Sequence, residues 1–144
     1  MKKSAFVITV ILFTLTTVVH AQIGITSYSI HALAINTNKG KKLSGEMKGF
    51  FNRELESTLF ELAGMYNFSR KTYHQFSVGL GLNVAPFSGI DEINSFTIPL
   101  QLEIFPLQNF KQLSLIFELT PELYLEGDTV IRQLWGIRYS FNKK

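Results

Sequence analysis

No cysteine occurs anywhere in this chain. Disulfide staples are therefore excluded, and so is anchoring through a lipid-modified cysteine. Charge is scarce as well: Asp, Glu, Lys and Arg make up 17% of the residues, and the two signs nearly cancel. Nothing in that balance attracts nucleic acid, so no nucleic-acid partner is expected. Histidine occurs three times, with no accompanying Asp/Glu cluster at metal-ligand spacing, so no metal is expected. The glycines lack the lysine and the strand-to-helix context of a phosphate loop, and no cofactor is implied. Past the first twenty-one residues, no apolar run approaches the ~20 residues that a membrane-spanning helix needs.

What is present begins with a leader. Lys2 and Lys3 precede an uncharged apolar stretch over 5–19, and Val19-His20-Ala21 offers small residues at a cleavage point. That pattern predicts a signal peptide over 1–21, with export of the remaining domain, 22–144. Without Lys2 and Lys3 that domain keeps twelve basic and eleven acidic residues, so most of the +3 on the whole chain belongs to the leader.

The exported part is rich in aromatics, with thirteen Phe in the whole chain, and its residues alternate. In 76–84, Phe76, Val78, Leu80, Leu82 and Val84 share one side, while Ser77, Gly79, Gly81 and Asn83 share the other. A period of two marks a strand whose two faces meet unlike surroundings. Similar patterns run through 43–52, 58–68, 96–104, 113–125 and 129–141, while 22–36 reads as a first strand whose weak alternation leaves its facing open. Turn chemistry separates them, as in the Gly127-Asp128 pair. Residues 52–63 also show helical spacing through Leu55, Leu59 and Leu62, although the strand pattern is favoured. Pro99 cannot donate to a ladder, so a bulge is expected there. Seven segments are recognised. A closed bacterial barrel needs an even number of strands, starting at eight, so either 85–95 hides a strand or one segment is two.

The apolar faces of the better segments carry no charge. Val78, Leu80, Leu82, Leu100, Leu102, Leu115 and Phe117 are therefore assigned to lipid, where a charge at mid-membrane would cost ~2–4 kcal/mol. The opposite faces hold Glu61, Glu103, Glu118, Glu122, Arg132 and Arg138. Enclosed in a narrow lumen, these six would have to pair into an interior polar network. Glu46 and Lys48 could join them. Aromatics gather near segment ends, as in the girdles of membrane barrels.

The closing stretch 134–141, Leu-Trp-Gly-Ile-Arg-Tyr-Ser-Phe, resembles the last strand of small outer-membrane β-barrel proteins of the OmpA/OmpX-like size class. The nearest resemblance is to the short outer-membrane barrels common in the Bacteroidota. It implies a Gram-negative cell envelope, a location in the outer membrane, and contact with its lipid. It also implies that Trp135, Tyr139 and Phe141 act as an assembly signal for the barrel-assembly machinery. The expected fold is all-β, an antiparallel up-and-down transmembrane barrel of eight strands. It is expected to be monomeric, with a side-chain-filled interior, a structural or surface-interaction role, no bulk transport and no catalysis. Two alternatives stand beside it. One is a soluble periplasmic lipocalin-like barrel binding an apolar ligand. The other is an outer-membrane lipid-modifying hydrolase using Ser29 and His31, which this pattern places two apart on one strand face.

Overall fold

The computed structural model describes residues 23–37, 40–51, 58–86, 93–125 and 127–141. The signal-peptide segment 1–21, the possible helix start at 52–57, most of the 85–95 loop and the tail 142–144 lie outside them. Nine strand segments follow in order: β1 (Gly24–Tyr28), β2 (Ala32–Asn36), β3 (Leu43–Phe50), β4 (Leu59–Asn67), β5 (His74–Val84), β6 (Ile93–Thr97), β7 (Leu100–Ile104), β8 (Leu113–Tyr124) and β9 (Thr129–Ser140). Each pairs antiparallel with its neighbours, and β9 returns to pair with β1, with Gly24 opposite Ser140 and Tyr28 opposite Gly136. The sheet is therefore closed, and among the described strands no unpaired edge remains.

The nine segments make eight staves, because β6 and β7 continue one another. Thr97 lies opposite Gly81 and Leu100 opposite Val78, which is one unbroken register against β5. The register against β8 is unbroken too, from Thr97–Glu122 to Leu100–Leu119. The bulge expected at Pro99 is therefore absent. The Gly79 N–H donates to the Pro99 carbonyl at 2.8 Å, and the ladder loses only the return bond that a proline cannot make. The register shift in this stave occurs instead where Asn83 and Val84 face Ser95 and Ile93.

Gly79 is what makes room for that proline. A Cβ there would lie 2.7 Å from the Gly64 carbonyl oxygen and 3.1 Å from the Pro99 ring. Gly79→Val is expected to lower stability by about 1–3 kcal/mol through overpacking. The measurement is the urea midpoint of the folded barrel; an unchanged midpoint would mean the wall has slack at this level.

The eighth stave comes from the segment 22–36, which is two strands rather than the single one its alternation suggests. The chain reverses at 29–31, and Tyr28 pairs with Ala32. A three-residue turn keeps parity, so Thr26, Tyr28, Ala32 and Ala34 all point inward on both sides of it. The 52–63 ambiguity resolves, over the described part, to β4.

Candidate functional site: the charged interior

Side-chain direction follows from the alternation. Among the described residues, nineteen polar or charged side chains are buried, against eight hydrophobic ones and Pro99, so the interior they enclose is polar. On β5, Gln75, Ser77 and Asn83 face the lumen, while Phe76 and Leu80 face out. Val78, Leu82 and Leu100 also lie on outward positions, as do the more exposed Leu102, Leu115 and Phe117. Among the described residues, no Asp, Glu, Lys or Arg occupies an outward position on any strand.

The six interior residues expected from the sequence do converge, and Glu46 and Lys48 join them. Their contacts form a chain of alternating sign along the bore. Ser114 donates to Glu103 at 2.6 Å, and Arg138 reaches the other Glu103 oxygen at 3.0 Å. Arg138 also bonds Glu46 at 2.8 Å and the Thr26 hydroxyl at 2.8 Å. Lys48 Nζ lies 3.4 Å from Glu46, and donates to Glu61 at 2.7 Å and to Glu118 at 2.8 Å. Arg132 then bonds Glu61 and Glu122, with Glu118 at 3.6 Å. Glu122 ends the chain, with the Tyr124 hydroxyl donating to it at 2.8 Å.

These bonds cross the lumen. Glu46 and Lys48 stand on β3, Glu61 on β4, Glu118 and Glu122 on β8, and Arg132 and Arg138 on β9. Each cation therefore ties walls that are not adjacent, which a ladder of backbone bonds cannot do. Lys48 and Arg138 are wholly enclosed, so the bonds are not in competition with bulk water.

Five carboxylates meet three cations here, so acids outnumber bases by two. Neutral donors make up part of the difference. Gln101 Nε2 donates to Glu46 at 2.7 Å and to Glu118 at 2.6 Å, and the Tyr28 hydroxyl lies 3.3 Å from each. Sequence reasoning missed Gln101, Tyr28 and Thr26. Gln101 sits on the face opposite Leu100 and Leu102, which was a usable signal. Tyr28 and Thr26 were missed because the weak alternation of 22–36 left its facing open. Towards the rim that carries the 29–31 turn, Ile116, Leu134, Ala32 and Ala34 pack with Tyr28 into an apolar stopper.

Chemically, this arrangement holds its own charges and leaves little for a substrate. Among the described residues, no group of three His, Asp or Glu side chains could hold a metal ion. Ser29 and His31 do not share a strand face: both sit in the turn 29–31, exposed, and no hydrogen bond joins them. Among the described residues no carboxylate is bonded to either of them, and a triad needs an orienting group. Trp135 is exposed midway along β9, Tyr139 near its end and Phe141 just past it, with Phe141 packed edge-on to Tyr139 at 5.0 Å. Comparison with family models, with curated proteins and with solved structures finds no match for this chain.

Proposed function

We propose that this chain is a small outer-membrane β-barrel whose role is structural or surface-interacting, with a lumen plugged by its own side chains. One observation carries the reading: the strands present uncharged, largely apolar side chains to the outside and enclose eight charged ones. Water would favour the reverse arrangement, and large contiguous apolar patches on a protein surface mark contact with a membrane or a partner. A closed β-sheet is one of only two backbone solutions that span hydrocarbon, since every N–H and C=O pairs within the wall.

An eight-stave barrel is just wide enough for side chains to fill. The bore from Glu103 to Glu122 is taken up by the ion-pair chain, which supports the absence of bulk transport. A lipocalin-like barrel for an apolar ligand would need an apolar lumen, and here Lys48, Gln101 and Arg138 occupy that space. The exposed aromatics Trp135, Tyr139 and Phe141 are the surface that the assembly machinery would read.

The test is paired fractionation and gel mobility of the expressed full chain. A closed membrane barrel sediments with the outer membrane and migrates differently before and after boiling. Release of the protein by osmotic shock, with one mobility under both conditions, would sink the reading.

A further inference from the structure

We infer that the rim carrying the chain termini is a docking collar for anionic phospholipid headgroups, an inference that rests on the membrane-barrel reading above. Three connections close this rim: 37–42 between β2 and β3, 68–73 between β4 and β5, and 105–112 between β7 and β8. They carry Lys41, Lys42, Arg70, Lys71 and Lys111, all exposed. None of the three contains an Asp or Glu. Glu103, which lines the vestibule at this rim, is buried and already bonded to Ser114 and Arg138.

The connections between the other ends of the strands differ in composition. There Asp128 is exposed in the β8–β9 connection. In sequence, the links from β3 to β4, from β5 to β6 and from β8 to β9 contain Glu54, Glu56, Asp91, Glu92 and Glu126 against Arg53 alone. An ordinary solvated surface mixes signs. A basic rim gives a barrel a preferred polarity towards a charged sheet.

Two features select a lipid surface over a small anion. First, the basic residues sit in three separate gaps spread round the rim, which suits a ring of headgroups and not a single point ligand. Second, a band of exposed aromatics lies against them. Phe68 packs on Phe76 at 5.6 Å, and Tyr139 packs on Phe110 at 6.3 Å and on Phe141 at 5.0 Å. Aromatic rings at this position sit at the depth of the headgroup boundary. Basic side chains immediately beyond such a boundary attract anionic headgroups. Arg70 joins the two features, its guanidinium stacked 3.8 Å from the Phe105 ring.

The experiment compares the full chain with the variant Lys41→Gln, Lys42→Gln, Lys71→Gln, Lys111→Gln. Arg70 is left in place because its stacking on buried Phe105 makes it part of the wall. Both proteins are refolded in mixed micelles of phosphatidylglycerol and phosphatidylcholine, and retained lipids are identified by native mass spectrometry. The parent is expected to retain phosphatidylglycerol enriched about fivefold over the bulk ratio, and the variant to fall to the bulk ratio while keeping its heat-modifiable mobility. Equal enrichment in both, or none in the parent, overturns the collar. Loss of the bound lipid to about 20 mM inorganic phosphate at constant ionic strength also overturns it, in favour of a discrete anion site in the vestibule of about 540 Å³ that Arg70 and Lys111 line at this rim. A parent that never becomes heat-modifiable defeats the barrel reading itself, and the collar with it.

Discussion

Lys48→Met removes the central cation of the lumen and is expected to prevent stable folding. The ammonium holds Glu61 and Glu118 within 2.8 Å and Glu46 at 3.4 Å, all of them enclosed. Without it, three carboxylates face one another, with Gln101, Tyr28, Thr120 and the outer arginines left among their donors. Breaking a buried ion pair by deleting one partner costs ~3–5 kcal/mol, since a charge is left without compensation. That is comparable to much of the stability of an ordinary small domain, about 5–15 kcal/mol. The readout is the fraction of heat-modifiable barrel after refolding, and its urea midpoint. Adding Glu118→Gln to the same chain removes one orphaned charge and should restore part of the loss, giving a non-additive cycle. If Lys48→Met unfolds at the parental midpoint, the lumen is wet enough to screen its charges, and the enclosed network contributes little.

Leu80→Arg is expected to block stable insertion into bilayers. Leu80 lies midway along β5 on its outward face and is 72% exposed, which is among the largest values of any apolar strand residue. Against hydrocarbon, an arginine at mid-depth costs ~2–4 kcal/mol. Against water, the same change at an exposed position falls within ~0.5 kcal/mol. The two environments are thus separated by the sign-free size of one effect. The measurement is the inserted, heat-modifiable fraction in vesicles, with the parent chain as reference. A variant that inserts as well as the parent would mean the outer face of β5 does not meet lipid.

Much of this molecule was legible before its coordinates, and the reasons are local. Over 76–84 of β5 every outward residue is apolar and every inward one is small or polar, so burial could be assigned residue by residue. The same held for Leu100 and Leu102 against Gln101 and Glu103. The stave count was not legible, because the turn at 29–31 is Ser-Ile-His, with no Gly, Pro, Asn or Asp to announce it. Its three residues also keep parity, so the alternation ran on through the reversal as if nothing had happened. Pro99 misled in the other direction. A proline inside a strand argues for a bulge, yet Gly79 on the neighbouring stave leaves space for the ring and the register passes straight by.

By itself, the sequence decided which side of the strongly alternating ribbons is greasy and which is polar, 22–36 excepted, because side-chain direction depends only on the parity of neighbours along the chain. Only the tertiary structure decided that the sheet closes on eight staves, and which acid meets which base. Glu46 and Arg138 are 92 residues apart, and Lys48 and Glu118 are 70 apart. Nothing local distinguishes these partners from the other charges on the same faces. They are selected by the diameter and stagger of the closed wall, which are properties of all its strands together.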